Sequence, residues 1–315
     1  MRQITFEQAT MEAIQEEFRR NPKSVYVATD LIQELQSEFG EARVRVTPIA
    51  ESSFVGAAIG LAGSGFRVVA NIRMATFGFV ATDQIVNHAA KITYMFGGQA
   101  KFPILYRMTV GAGGSAAAEH SISPYSMYMN VPGLKIILAT TAYDAKGLFK
   151  TAFKDNDPVI SFEHMLLGGV KGEVPEEEYF IPFGEACIRK RGNNVTVVAL
   201  AKMVNESLAA ADELEKEGIS LEIIDPRTLV PLDVDTIRKS AAKTGHLVVV
   251  DEACPTCGAA AEIISQVVED KETFAKLKAP PVRVCGLNIP IPFSPPMEQY
   301  ALPDKQKIMQ AIKAV

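Results

Sequence analysis

Residues 47 to 62 read Thr47-Pro48-Ile49-Ala50-Glu51-Ser52-Ser53-Phe54-Val55-Gly56-Ala57-Ala58-Ile59-Gly60-Leu61-Ala62. A short apolar strand, Val44 to Val46, precedes this stretch, and the small-residue run after Glu51 predicts an apolar helix closed near Gly63 and Gly65. A lone carboxylate at such a strand-to-helix junction lies at the carboxyl end of a parallel sheet, where open α/β folds bind their ligands. Held against an apolar helix, it is placed to share a proton with a ligand. The plainer reading is an acidic residue that complements the helix dipole.

The same alternation continues outward. Thr5 and Gln8 make a capping box for a helix to about Arg20. Ser24 to Thr29, Phe66 to Ile72, Phe102 to Met108, Leu134 to Ala139 and Pro158 to Glu163 read as strands. Leu31 to Phe39, Phe79 to Phe96 and Asp144 to Phe153 read as helices. Residues 109 to 121 are a Gly/Ala/Ser-rich loop. Strands alternating with helices indicate an α/β fold with a parallel sheet. Gly168 to Pro182 reads as a polar, Pro-containing linker. A second, smaller α/β cycle follows, with strands at Val195 to Leu200, Ser220 to Ile224, Leu247 to Val250 and Val282 to Val284, and a last helix from Asp304. The division expected is 1–185, with the linker at about 168–185, and 186–315.

The chain has 315 residues, 48% of them hydrophobic and 22% charged, with a net charge of −5. No basic run stands out, which argues against a nucleic-acid partner. No uninterrupted apolar stretch is long enough for a transmembrane helix, and the N-terminus lacks the apolar core of a signal peptide. Four cysteines do not make a disulfide framework, so a reduced, cytoplasmic setting is expected. Cys254-Pro-Thr-Cys257 reads as a redox pair or as a coincidental pair at a helix start.

There is no G-x-S-x-G, P-loop or H-E-x-x-H motif. Three residues instead follow consecutive strands at their carboxyl ends: Glu51, Phe77 and His120. Phe77 is either core or a platform for a flat ring. His120 closes the glycine-rich loop, where a histidine is well placed to meet a ligand.

In order and spacing, several further segments make the chain resemble a known family. They are Thr47-Pro-Ile-Ala-Glu51, Asp83-Gln-Ile-Val-Asn-His-Ala-Ala-Lys91, His120-Ser121, Pro132-Gly-Leu-Lys135, Asp144-Ala-Lys-Gly-Leu148, Asp225-Pro-Arg-Thr-Leu229-Val-Pro-Leu-Asp233, Asp251-Glu-Ala253 and Ile289-Pro-Ile-Pro-Phe-Ser-Pro-Pro296. The resemblance is to the β subunit of the thiamine-diphosphate-dependent decarboxylase component of 2-oxo acid dehydrogenases, of the pyruvate, branched-chain 2-oxo acid and acetoin type.

This resemblance implies two open parallel-sheet domains, a pyrimidine-binding domain and a smaller transketolase C-terminal-like domain. It implies that Glu51 hydrogen-bonds a ring nitrogen of the cofactor aminopyrimidine, that Phe77 packs on that ring, and that Arg73 stands where the family uses Met or Gln. It implies that His120 assists the substrate or the lipoyl acceptor. Ile104, Ala152, Asp155 and Asp157 match a loop that holds potassium in some members, mostly through backbone carbonyls.

The sequence contains no Gly-Asp-Gly, the motif that holds Mg and the diphosphate in this superfamily. That half of the site is therefore expected from an α subunit in an α2β2 heterotetramer. β–β self-association and a lipoyl acyltransferase core are the further partners implied. Asn71, Arg73, Thr76 and the Ala116-Ala-Ala-Glu119 stretch depart from the family around the substrate, which implies an altered substrate. Split-transketolase ketol transfer and a non-catalytic scaffold are the alternatives.

Overall fold

The computed structural model describes residues 1–315. The strands are β1 (Arg2–Thr5), β2 (Ser24–Ala28), β3 (Val44–Val46), β4 (Arg67–Met74), β5 (Ile104–Val110), β6 (Lys135–Ile137), β7 (Val159–His164), β8 (Lys171–Val174), β9 (Cys187–Lys190), β10 (Val195–Ala199), β11 (Leu221–Asp225), β12 (Thr228–Val230), β13 (Leu247–Asp251) and β14 (Val282–Cys285). The first three helices are α1 (Phe6–Arg20), α2 (Gln33–Phe39) and α3 (Glu51–Gly63).

The chain divides into two units. The first comprises Met1–Val110, Met127–Glu163 and Leu167–Phe183, and the second comprises Gly111–Ser126, His164–Leu166 and Gly184–Val315.

In the first unit the strands run in the order β6-β7-β5-β4-β2-β3. β2 pairs in parallel with β3 and β4, β4 with β5, and β6 with β7. β2 is buried along its whole length, so its Val-Tyr-Val-Ala core is a continuous apolar run, as a strand covered on both faces requires. α1 begins with the capping box expected: Gln8 N–H donates to Thr5 Oγ1 and Thr5 N–H to Gln8 Oε1. Its apolar face joins Phe6, Ile14 and Phe18 to a core with Leu35, Leu148 and Phe149.

In the second unit the order is β14-β13-β10-β11-β9. Here β10, β11, β13 and β14 are parallel neighbours, whereas β9 lies antiparallel on the edge. Val197, Ile223 and Val248 form the centre of this core with Leu214 and Ile308. Both units are thus α/β with parallel-rich sheets.

Three local expectations change. The Gly168 to Pro182 stretch is not bare linker, because β8 pairs antiparallel with β1 inside it. The helix expected from Phe79 to Phe96 is a 3-10 turn (Ala75–Phe79), a π-helical segment (Asp83–Ala89) and a short α-helix (Ala90–Met95). Apolar spacing at Ile85 and Ala89 signals a buried helical face, but it does not distinguish hydrogen-bond registers. The loop after β5 contains one helical turn, Ala117–His120.

Candidate active site

Glu51 is the first residue of α3, and Ala50 before it gives the helix no side-chain cap. Apolar residues of α3 pack inward on the sheet side, with Phe54, Val55, Ala58, Ile59 and Ala62 buried. That packing holds Glu51 at the carboxyl end of β3, and only 7% of it is exposed. Its carboxylate takes part in no hydrogen bond or ion pair within the chain. A buried carboxylate is costly unless it is hydrogen-bonded. Its lack of a protein partner is what a site awaiting a ligand N–H would show.

Arg73 lies near the end of β4 and Phe77 on the turn after it, with β2 between β4 and β3. β4 carries a register shift between Asn71 and Arg73, and Arg73 has a φ of 69°. Positive φ is uncommon outside glycine. Asn71 Oδ1 supports it by accepting the Arg73 N–H at 3.2 Å, and Arg73 Nη1 donates to Asp30 Oδ2 at 2.7 Å. Phe77 sits half-buried on the 3-10 turn.

Two contacts place that turn. Ser52 Oγ on α3 donates to Val80 O at 2.6 Å. Gly78 also lies so close to Tyr128 that a Cβ there would come 2.8 Å from the tyrosine hydroxyl. The first unit therefore gathers Asp30, Glu51, Arg73 and Phe77 at the carboxyl ends of the adjacent strands β2, β3 and β4.

His120 belongs to the second unit and ends the Ala117–His120 turn. Two carboxylates without a role assigned from the sequence hold its loop within the same unit. Glu252, just past β13, accepts from Ala112 N–H at 3.2 Å and Ser123 Oγ at 3.0 Å, and it meets His164 Nε2 at 2.8 Å. Glu298, on the helix Pro295–Ala301, accepts from Gly113 N–H at 2.8 Å and Ser115 N–H at 2.9 Å. A signal for Glu252 existed in the acidic pair Asp251-Glu252 directly after a buried strand. Glu298 had none beyond its place after Ser294-Pro295-Pro296.

Burial pushes the neighbouring Asp251 carboxyl up to about 7, and the Tyr125 hydroxyl is raised by burial and by the charges of Asp251 and Glu252.

Ile104, Ala152, Asp155 and Asp157 all lie in the first unit. Lys135 Nζ binds the Asp155 carboxylate at 2.6 Å and that of Asp157 at 3.0 Å, and Arg67 Nη1 donates to the Asp155 carbonyl at 2.6 Å. Lys135 Nζ thus bridges the two carboxylates, which are both engaged within the chain. No group of three or more His, Cys, Asp or Glu side chains is placed to hold a metal ion. Cys254 and Cys257 are both exposed free thiols. No helix is long and apolar enough to cross a membrane.

The family description "Transketolase, pyrimidine binding domain" matches residues 2–168, and "Transketolase, C-terminal domain" matches residues 184–308. The chain is 43% identical to the acetoin:2,6-dichlorophenolindophenol oxidoreductase subunit beta of Cupriavidus necator, over 99% of this chain and 97% of that one. It is 42% identical to the pyruvate dehydrogenase E1 component subunit beta of Rickettsia felis, over 99% of this chain and 98% of that one. The chain belongs to the transketolase-like β subunits of 2-oxo acid and acetoin dehydrogenases. Among solved structures it is similar to a split-gene transketolase described as an inactive beta4 tetramer, with a TM-score of 0.78, 26% identity, and coverage of 99% of this chain and 97% of that one. The two family domains correspond to the two α/β cycles of the chain, one on each side of residues 169–183.

Proposed function

We propose that this chain is the β subunit of a thiamine-diphosphate-dependent dehydrogenase that decarboxylates or cleaves a 2-oxo or acetoin-like compound and passes the acyl group to a lipoyl acceptor. The observation that carries the reading is Glu51, a buried carboxylate without a protein partner at the carboxyl end of β3. End-to-end identity of 42–43% to pyruvate and acetoin dehydrogenase β subunits supports the reaction class.

Thiamine diphosphate, when bound, supplies the nucleophilic carbon and the electron sink for breaking the bond beside a carbonyl. Glu51 fits the pyrimidine end of that cofactor, where its carboxyl group would hydrogen-bond a ring nitrogen. Phe77 offers a half-buried aromatic face to the ring. Arg73, fixed by Asp30, sets a cation beside it. His120 is assigned to the substrate or the acceptor.

Because the sequence has no Gly-Asp-Gly, Mg and the diphosphate fall to an α subunit, and activity requires it. The assembly proposed is an α2β2 heterotetramer with β–β self-association and a lipoyl acyltransferase core. The potassium proposed at the Asp155 loop is held by carbonyls. A cytoplasmic setting is part of the same proposal, supported by the four free cysteines.

Split-transketolase ketol transfer is the second reading, favoured by the structural likeness at a TM-score of 0.78. Identity of 26% there against 42–43% to the dehydrogenases places it second. The test is reconstitution with an α chain that carries Gly-Asp-Gly, assayed with pyruvate, branched-chain 2-oxo acids and acetoin, with 2,6-dichlorophenolindophenol as electron acceptor. Dye reduction that needs both chains is expected. Ketol transfer between sugar phosphates without dye reduction would overturn the dehydrogenase assignment.

A further inference from the structure

The loop that carries His120 is built mainly of glycine, alanine and serine. Gly111 and Gly113 take φ of 97° and 99°, open to glycine, but Ser115 and Ala117, which are not glycine, have φ of 52° and 60°, so the backbone is strained there. Two buried carboxylates grip it. Glu298, 1% exposed, presents one oxygen to Gly113 N–H and the other to Ser115 N–H. Glu252, 6% exposed, takes Ala112 N–H and Ser123 Oγ on Oε1. The anchors fall on both sides of His120, at Ser115 before it and at Ser123 after it.

Glu252 is itself locked. Leu166 N–H donates to His164 Nδ1 at 3.1 Å, so that nitrogen carries no proton. The proton is then on Nε2, which donates to Glu252 Oε2 at 2.8 Å. The pair leaves no room at Gly111, where a Cβ would lie 2.3 Å from His164 Nε2 and 2.8 Å from Glu252 Oε1. Backbone N–H bonds to a buried carboxylate are among the stronger hydrogen bonds a loop can make, and they offset the strain that a left-handed Ser or Ala carries.

We propose that Glu298 and Glu252, the latter oriented by His164, are positioning residues for His120: they hold its strained loop in the conformation that presents the imidazole. The proposal rests on the reading of His120 as the group that meets substrate or acceptor.

Glu298→Gln turns one of its two acceptors into a donor, so one of the two backbone N–H groups loses its partner. The test is a double-mutant cycle in the assembled α–β enzyme with thiamine diphosphate and Mg, combining Glu298→Gln with His120→Ala. Glu298→Gln alone should lower kcat about tenfold or more and leave the half-saturating thiamine diphosphate concentration within about twofold. On the His120→Ala background it should change the residual rate by less than about twofold.

An equal drop in both backgrounds overturns positioning and leaves a purely structural role. Normal activity in Glu298→Gln beside an inactive His120→Ala overturns the positioning proposal alone. Full activity in His120→Ala overturns the reading of His120, and this proposal with it. Hydrogen exchange of the 111–121 backbone gives a readout independent of turnover. It should quicken in Glu298→Gln and in Glu252→Gln, and unchanged exchange in both variants contradicts the clamp.

Discussion

Arg73 Nη1 donates to Asp30 Oδ2 at 2.7 Å, linking the carboxyl ends of the adjacent strands β4 and β2. The guanidinium is reached from a backbone held at positive φ, at the position where the family resemblance sets Met or Gln. If Arg73 borders the pyrimidine as proposed, its cation would change which substrate group is tolerated there.

Arg73→Met should therefore raise kcat/KM for pyruvate by about tenfold, the scale of one altered pocket contact, while assembly with the α chain is unchanged. Steady-state kinetics of the paired enzymes check this. Unchanged selectivity between pyruvate and larger or uncharged substrates would remove Arg73 from the specificity argument, and pyruvate turnover by the unmodified enzyme equal to that of an ordinary pyruvate dehydrogenase would remove the altered substrate altogether.

Lys146 is fully buried between α1 and the helix Ala142–Ala152, with Nζ 2.5 Å from Glu12 and 2.8 Å from Glu16. Lys150 continues the ladder to Glu16 at 2.6 Å and Glu178 at 2.7 Å. Removing Lys146 leaves Glu12 with Arg2 and Glu16 with Lys150 as their remaining cations and empties a fully buried position. Lys146→Ala should cost about 3 kcal/mol in urea unfolding of this chain, with no effect on the chemistry of Glu51. A loss below about 0.5 kcal/mol, the size of an exposed pair, would contradict the buried network.

Burial pushes the Asp251 carboxyl up to about 7. In the unfolded chain it ionises near ~3.9. Between these values the folded state keeps a proton that the unfolded state has lost, so this group's contribution to stability falls as pH rises from about 4 to about 7 and is flat above. Asp251→Asn does not titrate. Its stability relative to the unmodified chain should rise across that window, by a few kcal/mol at most. Thermal unfolding from pH 4 to pH 8 measures it, and parallel curves would mean that Asp251 is not held protonated by the fold.

Much of this architecture is legible in the residues because the signals are local. The Thr5 and Gln8 capping box marks the start of α1, and the apolar run Val44 to Val46 followed by Glu51 marks β3 and α3. The features that escaped are of two kinds. β1 and β8 pair residues far apart in sequence, with little apolar pattern in Arg2–Thr5 or Lys171–Val174 to announce it. β9 likewise joins its sheet antiparallel on the edge. The second kind is side-chain reach: nothing local to Glu252 or Glu298 says that their oxygens meet the backbone near His120. At the candidate site, Glu51 and Phe77 are legible because each follows a strand end, whereas Arg73, inside β4, enters only through the family resemblance and the supports of His120 come from distant segments.

The most direct measurement is Glu51→Ala in the reconstituted complex. This chain should still assemble with the α subunit, by co-elution at the same size, while dye reduction with the preferred substrate falls at least about a hundredfold, the scale expected when a group engaged in proton transfer is removed. Assembly with full activity would contradict it, because a subunit that only supports its partner has no use for that carboxylate.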